Sequence, residues 1–228
     1  HHYRVPHFIG YQTPMLENVL SVVRSSPFIV SETGGIELPK AISELKININ
    51  GAVYQMGIGG LHSTEKSCNH RSDEKYVLLD RDVASYYPAI IINQGLYPTH
   101  LGSNFGVVYR SLRDRRIVAK KAKKTRIAGS LKITINGGFG KLGSKWSMLY
   151  SPELLIQVTV TGQLALLMLI EIIELNGIRV VSANTDGIII KCPREREQEL
   201  ATIIKWWEDR TAFETEETRY AAVYSRDV

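Results

Sequence analysis

The chain has 228 residues, 44% of them apolar, a net charge of +5 and only two cysteines, Cys68 and Cys192. That is enough chain for one large domain or two small ones around a substantial core, with an ordinary globular composition. Two cysteines exclude a disulfide framework and suit a reducing compartment, and no signal peptide is read at the start.

Residues 1–30 hold Pro6, Pro14 and Pro27 and read as irregular, apart from a helix from Met15 to Arg24. Residues 45–58 alternate apolar and polar around Asn50-Gly51, a β-hairpin signal. Gly57, Gly59 and Gly60 open a polar loop through Ser72. In that loop His62, Cys68 and His70 are too loosely spaced to read as a zinc site. Residues 76–82 form an apolar strand ending at Asp82, and Pro88 redirects the chain towards a short helix over 89–94. Residues 109–128 read as helix, with Ala and basic side chains throughout and no Gly or Pro. The next stretch is ambiguous. Lys132 and Asn136 would share a face in a helix, but Leu131-Lys-Ile-Thr-Ile-Asn-Gly-Gly leans towards a strand entering an Asn-Gly turn.

Ser151 and Pro152 predict a helix start, as N-cap and first helical residue, and Asn176-Gly177 a stop after Leu175. The apolar run from Leu154 to Ile173 is interrupted by Gln157, Thr159, Thr161, Gln163 and Glu171, so it reads as a buried helix and not a membrane span. Residues 178–183 and 187–192 are short apolar strands joined at Asn184-Thr185-Asp186-Gly187. Residues 194–209 form a helix with Leu200, Ile203, Ile204 and Trp207 on one face, and Tyr220 to Tyr224 a short strand. The chain then stops at residues 226–228 without a terminating signal, as expected of a piece of something longer. Hairpins mixed with helices in this order predict an α+β fold, an antiparallel sheet covered by helices.

Charge is unevenly spread. Arg110 to Lys145 holds twelve Lys or Arg against one acid, Asp114, a net +11 that leaves −6 for the rest. Such a segment suits phosphate groups. Arg113, Arg116 and Lys120 stand at i, i+3 and i+7, one helical face able to grip a triphosphate. Asp82 at a strand end and Asp186 in a hairpin turn can converge from neighbouring strands. Two carboxylates favour Mg²⁺, which keeps water and substrate phosphates in its other positions. Taken singly, each Asp equally fits a turn or an Asx motif.

Three segments together carry a resemblance. Asp82-Val-Ala-Ser-Tyr-Tyr-Pro88, Lys132-Ile-Thr-Ile-Asn-Gly-Gly-Phe-Gly140 and Ala183-Asn-Thr-Asp-Gly187 resemble the first palm, the fingers and the second palm motifs of family B DNA polymerases, in the family's order. The likeness covers about residues 76–192 and looks most like phage or prophage enzymes with short fingers. It implies an antiparallel ferredoxin/RRM-like palm sheet and a short helical fingers insertion. Residues 1–75 would lead into the palm, 76–108 and 146–228 would form it, and 109–145 would be fingers, without thumb or exonuclease. It also tips residues 129–136 from strand to helix.

The resemblance implies roles. Asp82 and Asp186, with the Val83 carbonyl, would bind two Mg²⁺ ions, which Mn²⁺ could replace. Amides near Ser85 and Tyr86 would meet the triphosphate, and Tyr87 would sit under the sugar and favour deoxynucleotides. Arg116, Lys120 and Lys132 would hold phosphates, Asn136 would line the nucleotide pocket, and Gly137, Gly140 and Lys141 would face DNA. The expected partners are primer-template DNA, dNTPs and the parent's remaining polymerase domains, with no membrane, in the cytoplasm of a bacterial host. Without a thumb, the chain alone is expected to bind DNA weakly and extend primers poorly. Asn184 stands where the motif has its first Asp, Gly187 and Gly137 replace Ser, and Phe139 replaces Tyr. Asn184 also suits a second reading, a polymerase-like module that binds nucleic acid without catalysis. A nucleotidyl cyclase is a third, against which the Lys132–Gly140 motif argues.

Overall fold

The computed structural model of the protein describes residues 1–65 and 68–225. The expectation placed on residues 226–228 lies outside these. Helix α1 (Pro14–Ser25) buries Leu16, Val19 and Val23 along one stripe. Strands β1 (Ile29–Val30) and β2 (Ile36–Glu37) pair, and a short helix α2 (Lys40–Ser43) follows. Strands β3 (Ile47–Ile49), β4 (Ala52–Gln55) and β5 (His62–Thr64) make an antiparallel three-stranded sheet. The expected hairpin lies between β3 and β4. Asn50 and Gly51 both take positive φ, 50° and 88°, as its two-residue turn requires. Strand β6 (Cys68–Arg71) comes next.

The larger layer begins with β7 (Tyr76–Val83), followed by α3 (Tyr86–Asn93), α4 (Asn104–Lys121), α5 (Thr125–Lys141) and α6 (Pro152–Leu175). Strands β8 (Arg179–Asn184) and β9 (Gly187–Pro193), helix α7 (Glu197–Thr211), and strands β10 (Thr215–Tyr220) and β11 (Ala222–Ser225) complete the chain. Strands β10, β7, β9 and β8 form, in that order, an antiparallel sheet. Taken as β7, helices, β8, β9, α7 and β10, this is the β-α-β-β-α-β ferredoxin-like arrangement within an α+β fold. β11 pairs instead with β6.

Two local expectations are corrected and one ambiguity is resolved. The helix drawn over 109–128 is two helices, α4 and α5, turned at residues 122–124. Lys123 there adopts φ 55°, a left-handed turn with no glycine to announce it. Residues 129–136 are helical within α5, as the resemblance implied and against the local strand pattern. Burial of Ala128, Leu131 and Ile135 decides it. Pro88 does not precede α3 but sits in its first turn, where its missing N–H costs nothing. Ser151 occupies the N-cap position of α6, although its hydroxyl makes no capping bond.

Helix α6 is apolar and long enough to cross a membrane by length and composition, and it is buried within the protein. Its polar side chains explain how. Gln157 bonds both the N–H and the carbonyl of Arg4, and Thr161 shares a 2.7 Å bond with the Tyr3 hydroxyl. Gln163 does the same for Gly57, while the Glu171 carboxylate accepts from the Gln12 and Thr13 amides. Buried polar groups must find partners. Here those partners lash the amino-terminal segment to the central helix. Leu200, Ile203, Ile204 and Trp207 of α7 are buried together as their spacing predicts, and the Trp207 indole donates to Ala165 at 2.9 Å.

Candidate active site

Asp82 and Asp186 meet through strand pairing. In the β7–β9 ladder Asp82 stands opposite Gly187, and the Val83 amide donates to the Asp186 carbonyl at 2.7 Å. The turn between β8 and β9 is Thr185-Asp186, steadied by the Asn184 side-chain oxygen accepting from the Asp186 amide at 3.3 Å. Asn184 is therefore an Asx-turn residue here, and exposed. Gly187 is tightly enclosed. A Cβ at this position would lie 2.1 Å from Asp82 Oδ1 and 2.9 Å from the Arg81 carbonyl.

The site is crowded with acid. Asp80 lies two residues before Asp82 on the same face of β7, is buried, and accepts the Tyr220 hydroxyl at 3.0 Å. Glu216 on β10 stands opposite Asp82. Burial comes first in lifting the Asp82 carboxyl to about 6, followed by repulsion from Asp80, Asp186 and Glu216. Clustered carboxylates held apart from full hydration are the setting that a divalent cation relieves. A folded-state value above the ordinary one means ionisation works against folding. In EDTA, thermal stability is expected to fall as pH rises from about 4 through 6, and Asp82→Asn to flatten that trend. Melting curves at pH 5 and pH 8 that move wild type and variant equally would contradict the crowding.

Both acids line a cleft of about 380 Å³ between the four-stranded sheet and the α4–α5 hairpin. Val83, Ser85, Tyr86 and Tyr87 form its sheet-side wall. Arg116 and Lys120 from α4, and Lys132 and Asn136 from α5, form the opposite one. Lys132 and Asn136 share a helical face as their spacing requires. Arg116 Nη1 donates to Ser85 Oγ at 2.7 Å, while its Nε is buried without a partner. A buried guanidinium N–H lacking an acceptor is costly, and a phosphate oxygen would satisfy it. Lys120 reaches Glu216 only at 3.9 Å, with both side chains more than half exposed, so the pair is weak and easily exchanged. Arg113, expected in the same row, does not line this cleft. It turns to Asp114 at 3.0 Å, and it lines a neighbouring cavity of about 230 Å³ instead.

Tyr87 is buried, with its ring 4.8 Å from Phe139 and its hydroxyl donating to the Gly59 carbonyl at 2.6 Å. Gly162 of α6 lies beneath it, where a Cβ would come within 2.7 Å of the Tyr87 ring. Tyr86 is pinned by donating to the Gly162 carbonyl at 2.5 Å. Next along the floor, Gly60 abuts Thr185, and a Cβ there would meet it at 2.7 Å. Ser85, at the start of α3, takes φ 45° and ψ 56°, a strained backbone that turns the chain between β7 and α3. Gly137, Gly140 and Lys141 lie on exposed parts of α5, outside the cleft. Nothing lies within 4 Å of a Cβ built at either glycine.

Sequence reading missed Glu216, Asp80 and the Gly57–Gly60 support. Glu216 lies in a polar strand without alternation, and Asp80 is one of two acids in Asp80-Arg-Asp82, of which only the motif position drew notice. Among the described residues, no group of three or more His, Cys, Asp or Glu is arranged to hold a metal.

No protein-family model matches the sequence, and no curated protein does. The fold is similar to that of the family B DNA polymerase from the hyperthermophilic archaeon Pyrobaculum calidifontis, with a TM-score of 0.52 and 19% identity. The match covers 71% of this chain and 26% of that polymerase, so the chain spans about a quarter of its length. At that identity the likeness describes a shared fold.

Proposed function

We propose that the chain is the palm-and-fingers core of a phage-type family B DNA polymerase, adding deoxynucleotides to a primer on a DNA template. The observation that carries this reading is the convergence of Asp82, Asp186, Tyr87, Arg116, Lys120, Lys132 and Asn136, from elements far apart in sequence, on one cleft. In this reading residues 1–75 lead into the palm, 76–108 and 146–228 form it, and 109–145 are the fingers. The rest of the polymerase, primer-template DNA and dNTPs are its partners, in a bacterial cytoplasm.

The donor set fits Mg²⁺, which needs only one or two carboxylates beside water and substrate phosphates. Asp82, Asp186 and the Val83 carbonyl would hold it. Two such ions, or Mn²⁺ in their place, would lower the charge on the attacking and leaving oxygens. The residues of the chain supply position. Arg116 and Lys120 draw the triphosphate against Ser85 and the start of α3. Lys132 neutralises its far end, and Asn136 and Phe139 bound the base. The primer 3′-hydroxyl then attacks the α-phosphorus as pyrophosphate leaves on the side of the basic helices. Holding reactants in line accounts for most of the rate in such a reaction. The open flank of α5 at Gly137, Gly140 and Lys141 gives DNA close approach.

Tyr87 closes the cleft beneath the sugar, leaving no room for a 2′-hydroxyl. Template-directed incorporation is tested by primer extension with each dNTP. Tyr87→Ala is expected to raise ribonucleotide use about tenfold or more, the discrimination lost when a steric wall goes. Incorporation that ignores the template base would overturn the polymerase reading, and unchanged sugar selectivity would overturn the role of Tyr87.

Asn184 favours a second reading, a module that binds nucleic acid without catalysis. Metal titration separates the two. Nucleotide binding that strengthens with Mg²⁺ supports the enzyme, whereas salt-sensitive DNA binding indifferent to metal supports the module.

A further inference from the structure

Between α5 and α6, residues 142–151 form a loop whose backbone is well tied. Leu142 is fully buried, and its carbonyl accepts from the Ser151 amide at 2.9 Å. Inside, the Ser147 amide bonds Ser144 at 3.0 Å and the Tyr150 amide bonds Ser147 at 3.1 Å. Outside, the Tyr150 hydroxyl donates to the Gly34 carbonyl at 2.7 Å, and His100 Nε2 lies 2.7 Å from the Met148 carbonyl. Yet this anchored loop holds out two large apolar side chains, Trp146 at 87% exposure and Met148 at 84%. No other large apolar side chain among the described residues is as exposed. An indole displayed on a fixed backbone is an interaction surface, because its burial against a flat partner loses little entropy.

The surroundings say what kind of partner. Lys145 Nζ sits 4.9 Å from the Trp146 ring centre, and Lys141 ends the preceding helix. No acidic residue occurs between Asp114 and Glu153. Aromatic faces set among lysines, with acid excluded, are how proteins hold single-stranded nucleic acid. Phosphates go to the cations and unpaired bases stack on the rings. In a duplex the base faces are already stacked and closed to an indole. The loop also continues directly from the helix that carries Lys132, Asn136 and Phe139 into the cleft.

We propose that the Trp146 loop is a stacking platform for the unpaired bases of a DNA strand, with Trp146 as its main surface and Lys141 and Lys145 as its phosphate contacts. The identification of that strand as the template awaiting copying rests on the polymerase reading above. The binding itself does not.

Oligodeoxythymidylate titrated at low salt tests it, on a Trp206→Phe background. Trp207 is buried, so the quenched emission then reports Trp146. Quenching is expected, with Trp146→Ala weakening the affinity about tenfold by anisotropy of a labelled oligomer and Trp146→Phe restoring most of it. A blunt duplex of equal length should compete poorly. Affinity untouched by Trp146→Ala, or a duplex that binds as well as the single strand, would overturn the platform. Because no step requires catalysis, the two readings fail separately: quenching together with nucleotide binding indifferent to Mg²⁺ would sink the polymerase reading and leave the platform standing.

Discussion

In the full-length parent, Asp82→Ala and Asp186→Ala are each expected to lower primer extension roughly 10³-fold, since several kcal/mol of charge stabilisation at the reacting phosphate are lost with either carboxylate. The two should not behave alike in the absence of metal. Burial first, and then repulsion from Asp80, Asp186 and Glu216, lifts the Asp82 carboxyl to about 6, whereas Asp186 is exposed in its turn. Removing Asp82 therefore relieves repulsion, and the EDTA-treated variant should melt no lower than wild type at pH 8. The loss of activity is then chemical and not a loss of folding. Steady-state rates and melting curves on the same preparations check both halves. Extension within tenfold of wild type by either variant would remove that carboxylate from the metal site.

Nearly as large an effect is expected from one methyl group. At Gly187 a Cβ would stand 2.1 Å from Asp82 Oδ1. The carboxylate could rotate away, but the Arg81 carbonyl, 2.9 Å distant, belongs to the backbone of β7 and cannot. The β7–β9 ladder must open locally at the point where both acids are held. Misplacement by about 1 Å is enough to cost roughly 10² in rate. Overpacking adds about 1–3 kcal/mol of instability. Gly187→Ala should thus lose about a hundredfold in extension and demand more Mg²⁺ for half-maximal rate. Gly187→Ser, the residue of the motif this turn resembles, should fare no better. If either variant kept full activity at ordinary Mg²⁺, the close packing of Asp82 on β9 would have no bearing on the chemistry.

Much of this site could be read from the sequence because its chemistry sits at punctuated places. Asp82 ends an apolar strand and Asp186 occupies a two-residue turn, so both positions were fixed by hydrophobic runs on either side. The basic face of α4 followed from spacing, although it contained one residue too many. Arg113 has a neighbouring acid and turns to it, a choice that helical geometry alone cannot foretell. Strand β10 was invisible. Thr215-Glu-Glu-Thr-Arg-Tyr220 is almost wholly exposed, and its register comes from hydrogen bonds to β7, not from an apolar face. With it went Glu216. Helix α5 carried β-branched residues that imitate a strand, while Ala128, Leu131 and Ile135 kept the helical period that tertiary packing enforces. The break before it rests on a single left-handed lysine, for which sequence offers no sign.

The contacts beneath Tyr87 bear on how this protein can vary. Surface loops between strands usually tolerate insertion, because lengthening a closed loop costs little. The link from β4 to β5 is different. Within it Gly57 is clasped by Gln163, Gly59 receives the Tyr87 hydroxyl, and Gly60 lies flush against Thr185. One added residue there would shift a carbonyl and a glycine out of step with two walls of the cleft at once. Among related chains, the length of this stretch should be as invariant as the acids themselves.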